Sequence, residues 1–344
     1  MQPSEKRLVI LLEWVLNNMR LNELRRLIIS KRLNILLGSG CSLPAIPLMS
    51  NFKSEDYSEE EANSNLEEKI KEVSKILSSN AITIDSDIGG TLLIYISFIQ
   101  QLVKSLNLSN SRETPKRVNI FTTNYDLFIE KAFDKVTRNY KFVINDGATG
   151  YFNRLLESSN FDQVVSYKGI NDNYISEIPS ISLIKPHGSV NWEKDENGEY
   201  IYVRNNVVEH PVIVKPTGFE SNDTFNQNHF FSMLRFFTNE LDKPQSVLMV
   251  IGFSFQDKHI AKMVKRAIAN PELLVICFCY EKDNVSNILE NLGYDSQTEV
   301  PANLQFIIPK SKIINNNECP LPVENITLEV VVRFMNGDFD EGND

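Results

Sequence analysis

The sequence has no CxxC pair, no apolar run long enough to span a membrane, and no surplus of basic residues. Its four cysteines, Cys41, Cys277, Cys279 and Cys319, are spaced for neither a zinc ribbon nor a disulfide framework, so they read as reduced and buried. The apolar stretch Leu8 to Leu12 follows Glu5, Lys6 and Arg7 and stops at Glu13, far short of the ~18 residues a membrane span needs. No signal peptide or transmembrane helix is expected, and the expected location is the cytoplasm. A formal charge of −10 removes direct nucleic-acid binding as the default, since phosphate backbones are held by clustered Lys and Arg. No internal repeat, heptad array or long low-complexity stretch is present.

What is present in 344 residues is an alternation of short apolar runs with amphipathic segments. Asn34 to Leu37, Val118 to Phe121, Ile181 to Ile184, Val212 to Val214, Val247 to Ile251, Leu273 to Phe278 and Leu304 to Ile307 have the Val, Ile, Leu and Phe content of strands buried on both faces. Phe128, Ile129, Ala132, Phe133 and Val136 recur at helical spacing directly after one of them. The order strand, turn, helix predicts an α/β fold: a Rossmann-like, mostly parallel sheet flanked by helices, with a helical insertion and no zinc ribbon.

The expected organisation is N-terminal helices over residues 1–32, a nucleotide-binding domain over 33–335 with a helical insertion at about 48–115, and an acidic tail over 336–344. Within the insertion, Glu55 to Glu72 reads as a solvated or mobile segment rather than a site, and Thr91 to Leu106 as a buried helix. Ile326 to Phe334 alternates enough to be an edge strand, and the tail reads as frayed. The apolar face of Leu8 to Ile29 suits packing on its own sheet or on another subunit.

Four strand ends carry residues suited to a ligand, and open α/β sheets bind ligands at such ends. Gly38-Ser39-Gly40-Cys41-Ser42 is a glycine turn whose backbone can approach a pyrophosphate, with N–H groups at the next helix start. The third glycine of the dinucleotide fingerprint is missing, because Leu43 stands there, and no acidic residue about twenty positions on ends a second strand. Hydride transfer of the ordinary Rossmann kind is thereby disfavoured. Asn124 and Asp126 in Thr122-Thr123-Asn124-Tyr125-Asp126 belong to a site or to a plain capped turn, and their spacing does not choose. Of four histidines, His187 alone stands beside a glycine at the mouth of a strand, where an imidazole can take up a proton near neutral pH. Gly252-Phe253-Ser254 ends a further strand, and Asp257 caps the helix expected from Lys258 to about Ala269.

In this order, over about residues 33 to 280, the four motifs resemble the sirtuin superfamily. Gly38-Ser39-Gly40-Cys41-Ser42 is similar to its Gly-Ala-Gly-x-Ser, Thr122-Thr123-Asn124-Tyr125-Asp126 to its Thr-Gln-Asn-x-Asp, His187-Gly188 to its His-Gly, and Gly252-Phe253-Ser254 to its Gly-x-Ser. The resemblance implies an NAD site with NAD as substrate and no metal. It makes Asn124 and His187 catalytic, Asn124 orienting the ribose and the nucleophile and His187 acting as general base. Asp126 would hold the nicotinamide carboxamide. Gly38, Ser39, Gly40, Cys41, Ser42, Thr123, Gly252, Phe253 and Ser254 would line the rest of the dinucleotide site.

Two departures separate the chain from the protein deacylases of that superfamily. Ala45-Ile46-Pro47 leads into Leu48-Met49-Ser50 where the deacylases carry Asp-Phe-Arg, and their four-cysteine zinc module after the histidine is absent. Val190-Asn191-Trp192-Glu193 and a charged, hairpin-like stretch to Tyr202 stand there instead. Pro186-His187-Gly188-Ser189-Val190-Asn191-Trp192 and Gly252-Phe253-Ser254-Phe255-Gln256-Asp257 look like the zinc-less sirtuin-type effectors of bacterial anti-phage defence.

That resemblance implies an NAD+ glycohydrolase releasing nicotinamide and ADP-ribose. It also implies a homo-oligomer and a separate regulatory partner, a hexameric DNA-translocating ATPase or an Argonaute-like protein. The alternatives are an NAD-dependent protein deacylase and a non-catalytic sensor of NAD or ADP-ribose.

Overall fold

The computed structural model describes residues 21–52, 58–79, 82–108, 116–167, 177–215, 228–295, 297–311 and 314–339. The expected helices before residue 21 and the last residues of the acidic tail lie outside them.

Eight parallel strands form the central sheet: β1 (Arg32–Leu37), β2 (Arg117–Thr122), β3 (Val143–Asn145), β6 (Ser180–Ile184), β11 (Ser246–Ile251), β12 (Leu274–Phe278), β13 (Leu304–Pro309) and β14 (Glu318–Leu321). Their order is β14-β13-β12-β11-β1-β2-β6-β3. The chain builds outward from β1 on one side and later returns to β1's other edge with β11. The strand order therefore reverses between β1 and β11, the place where a crevice opens at the carboxyl ends of such strands.

Strand alternation feeds two apolar layers. Leu33, Ile35 and Leu37 face a core built with residues 21–30 and helices Glu59–Ser78, Asp87–Leu108, Phe128–Val136 and Leu328–Asn336. Leu36, Leu248 and Val250 face a second core built with helices Asn228–Asp242, Lys258–Ala267 and Asn284–Asn291. A sheet buried on both faces accounts for its continuous apolar strands.

Short antiparallel pieces sit outside this sheet. β4 (Ala148–Thr149), β5 (Arg154–Leu156), β8 (Trp192–Lys194) and β9 (Ile201–Val203) make a four-stranded sheet in the order β4-β5-β9-β8. β7 (Gly188–Ser189) pairs with β10 (Val212–Ile213). The charged stretch after His187 is thus a hairpin, β8 to β9.

Three local expectations are corrected. Val212 to Val214 is no strand of the central sheet; its two paired residues bond Ser189 and Gly188. Ile326 to Phe334 is helical from Leu328 to Asn336, because the Thr327 side chain caps it and Leu328, Val331, Phe334 and Met335 share one buried stripe. The acidic tail accordingly begins as the ordered end of that helix, with Gly337 at φ 89° as its C-cap. The run Glu55 to Glu72, whose first residues lie outside the described ones, is largely solvated as expected, and from Glu59 it is an α-helix, because Ser58 and Glu61 form a capping box and Ala62, Ile70, Val73 and Leu77 make a buried face. The helical insertion itself is present, as helices Glu59–Ser78 and Asp87–Leu108. Among the described residues no helix is long and apolar enough to cross a membrane.

Candidate active site

The turns after β1, β2, β6 and β11 stand side by side, because those strands are neighbours in the parallel sheet. Gly38 donates its N–H to the Ile251 carbonyl at 2.9 Å, and Gly40 to the Gly252 carbonyl at 3.1 Å. The expected helix start after the glycine turn is only a 3₁₀ turn, Ser39–Ser42, followed by Pro44 and Pro47, which cannot donate to a continuing helix. Ser39, Gly252 and Ser254 are exposed and Gly40, Thr123 and Phe253 half-buried, whereas Gly38, Cys41, Ser42, Asn124, Asp126 and His187 are buried behind them.

One hydroxyl joins the buried group. Ser42 Oγ donates to Asp126 Oδ2 at 2.8 Å and accepts from Asn124 Nδ2 at 3.3 Å. It also lies 3.1 Å from Tyr95 Oη, and with its own proton on Asp126 it accepts there, which makes Tyr95 the donor. Asn124 Nδ2 donates in addition to the Gly38 carbonyl at 3.0 Å. The Asn124 carboxamide is thus fixed by the glycine turn of β1, although it belongs to the turn after β2.

Thr122 locks the same geometry. Its hydroxyl donates to the Leu37 carbonyl at 3.0 Å and accepts the Asn124 N–H at 3.1 Å. Asp126 Oδ1 accepts the Phe128 N–H at 3.1 Å, so this carboxylate ties the first residue of helix Phe128–Val136 to the network.

Burial pushes the Asp126 carboxyl above its ordinary value, against the pull of Lys185, the Ser42 hydroxyl and the Phe128 N–H. Burial and the charge of Asp126 likewise push the Tyr95 phenol well up, which keeps it a neutral donor. Burial pushes the Cys41 thiol up to about 12, and its Sγ donates to the Ile251 carbonyl at 3.3 Å, so this cysteine is no nucleophile.

His187 is 7 % exposed, and its Nε2 lies 3.1 Å from Asp257 Oδ2. The residue after it must be glycine. Gly188 has φ 85°, and a Cβ there would stand 1.9 Å from the Val212 carbonyl oxygen. Two residues earlier, Lys185 Nζ donates to the Asp126 carbonyl at 2.6 Å, to Glu130 Oε1 at 2.8 Å and to Ser189 Oγ at 3.0 Å. This buried ammonium ties the turn that carries His187 to the turn that carries Asn124 and Asp126.

The turn after β11 is strained. Gly252 has φ 61° and Phe255 has φ 60°, an outlier for a bulky residue, held by burial of its ring edge-on to Phe253 at 5.2 Å. Asn291 Nδ2 donates to the Ser254 carbonyl at 2.7 Å and pins the turn from behind.

Three members of this arrangement were not legible as site residues in the sequence. Tyr95 comes from the insertion helix Asp87–Leu108 and stacks on Phe128 at 5.2 Å; nothing local marks it. Lys185 stood in a motif noted for its histidine. Asp257 read as a helix cap, and its second oxygen could be assigned only once β6 and β11 lay in one sheet.

Residues 118–296, just over half of the 344, match the family model of the SIR2-like domain. The chain belongs to that family. The match begins in β2 and covers Asn124, Asp126, His187, Gly252 to Ser254 and Asp257, while the glycine turn after β1 precedes it. No curated protein matches the chain. A SIR2-like domain implies NAD binding and is compatible with an NAD-utilising enzyme. The donor set fits such a ligand: exposed hydroxyls and main-chain groups at the rim suit ribose and phosphate, and a carboxamide and an imidazole lie behind them. Among the described residues no group of three His, Cys, Asp or Glu could hold a metal ion.

Proposed function

We propose that the protein is an NAD+ glycohydrolase that cleaves the bond between nicotinamide and ribose. The observation that carries this reading is the buried network in which Ser42, Asp126 and the Gly38 carbonyl orient the Asn124 carboxamide, beside a turn that presents His187 paired to a carboxylate. Water adds to the ribose carbon as the glycosidic bond breaks, nicotinamide departs with the bonding electrons as a neutral base, and His187 accepts the proton water gives up. Preorganised dipoles such as the Asn124 carboxamide stabilise the oxocarbenium-like charge without reorganising. Asp126, the half-buried Thr123 and the exposed Ser39 and Ser254 take the nicotinamide and ribose ends, and the glycine turn takes the phosphates.

Hydrolysis is favoured over deacylation because the segment after His187 contains no cysteine before Cys277 and is spent on the pairs β7–β10 and β8–β9. We extend the proposal to an anti-phage effector in the cytoplasm, acting as a homo-oligomer and held silent until a separate partner, a hexameric DNA-translocating ATPase or an Argonaute-like protein, releases it. Unchecked NAD loss would kill the cell that makes it.

The test is nicotinamide release from NAD+ with and without an acetyl-lysine peptide. Peptide-independent release supports the proposal, strict peptide dependence supports a deacylase, and binding without turnover supports a sensor. Asn124→Ala and His187→Ala are expected to lower release by about 100-fold or more while the circular dichroism spectrum is kept. Parental rates in both variants would overturn the assignment.

A further inference from the structure

We propose that Asp257 is a positioning residue for His187, holding the imidazole through Nε2 so that Nδ1 is the nitrogen that accepts the proton. This inference rests on the hydrolase reading above for its kinetic consequence, but not for its structural content.

Asp257 divides its two oxygens between two tasks. Oδ1 accepts the N–H groups of His259 at 2.8 Å and Ile260 at 3.1 Å, which is the whole of the capping role. Ser, Thr or Asn would cap that helix about as well. Oδ2 is turned the other way and lies 3.1 Å from His187 Nε2, across the sheet from β11 to β6. A cap does not use that oxygen; an imidazole does.

The charge agrees with the geometry. Burial raises the Asp257 carboxyl, but the His187 imidazole and the two capping N–H groups outweigh it and hold the acid below its ordinary value. It stands as a carboxylate, an acceptor only; its Oδ2 is buried 3.1 Å from Nε2 without a formed hydrogen bond, and the ring that turns to close that gap must bring its hydrogen on Nε2. Among the described residues no hydrogen bond is formed at either ring nitrogen, and Asp257 Oδ2 is a buried acceptor left without one beside Nε2. An oriented base with a carboxylate behind it is the arrangement by which nucleophiles are activated on unrelated folds.

The other charged groups around His187 do not replace this partner. His259, in the first turn of the helix that Asp257 caps, is held below the value of an ordinary histidine by burial, with His187 acting on it as a like charge against the pull of Asp257. Lys185 is spent on the Asp126 carbonyl, Glu130 and Ser189.

Asp257→Asn separates the two tasks, because the amide oxygen keeps the cap while the amide nitrogen becomes a donor. Expected in the variant are a retained circular dichroism spectrum and kcat for nicotinamide release down roughly 100-fold with KM within about twofold. A nitrogen-15 spectrum of histidine-labelled protein, with His187 assigned by its loss in His187→Ala, reads the ring directly and without NAD+. We expect the Nε2–H form in the parent and the Nδ1–H form in Asp257→Asn. The same tautomer in both, or parental kcat in an active variant, overturns the inference. Because the spectrum needs no turnover, an inactive parent counts against the hydrolase reading alone.

Discussion

Gly38 and Gly252 meet backbone to backbone at the point where the strand order reverses: a Cβ on Gly38 would stand 2.3 Å from the Gly252 carbonyl oxygen. That approach lets the turn after β1 hydrogen-bond the turn after β11, and it places the glycine turn where it can both hold Asn124 and face a dinucleotide.

Gly38→Ala and Gly252→Ala are therefore expected to destabilise the fold by about 3 kcal/mol or more, the first through collision with backbone and the second through an added strain at φ 61°. Gly90→Ala is the control. Gly90 lies within helix Asp87–Leu108 with nothing within 4 Å of its would-be Cβ, so alanine should add about 0.5–1 kcal/mol. Urea unfolding midpoints check all three.

Asp126 makes stability and function pull in opposite directions. Its carboxyl lies above the ordinary value in the folded state because of burial, so its contribution to stability is fully present below the unfolded pKa of about 3.9 and is lost as pH rises through the folded value. Asp126→Asn removes that loss. The variant should match or exceed the parent in melting temperature at pH 7, with the difference shrinking toward pH 4, while nicotinamide release and NAD+ affinity fall. Thermal melts across pH beside the release assay test both halves.

Lys185 is 2 % exposed and its ammonium meets three acceptors, so removing it leaves the Asp126 carbonyl, Glu130 and Ser189 without their donor. Lys185→Met should cost about 3–5 kcal/mol, the range for breaking a buried pair from one side. Glu130→Gln should cost clearly less, since an amide oxygen still accepts from Lys185. Equal midpoints for the two variants would show that the ammonium is not the tie between the Asn124 and His187 turns.

Which parts of this could be read from the residues follows from how local each signal is. The strands β1, β2, β6, β11, β12 and β13 announced themselves as Val, Ile, Leu and Phe runs because both faces of the sheet are covered. β14 did not, since Glu318-Cys319-Pro320-Leu321 has little of that pattern and pairs only at the sheet's edge. The capping box at Ser58 and Glu61 is a local signal set inside an acidic run whose composition reads as solvated. The helix at Leu328 reads as a strand in sequence because Glu329-Val330-Val331-Val332-Arg333 mixes β-branched residues with a helical stripe, and the stripe prevails where the first core lies against it.

By itself the sequence determined the class of fold and the four turns where a ligand would sit, because strand burial and glycine turns are properties of a few neighbouring residues. Tertiary structure alone decided which side chains work together. Tyr95 and Ser42, Asn124 and Gly38, and His187 and Asp257 come from separate elements, and each pair meets only because β2, β1, β6 and β11 are packed into one sheet beneath an insertion helix. A hydrogen bond has a reach of about 3 Å, so no spacing along the chain can report it until the fold has closed the distance.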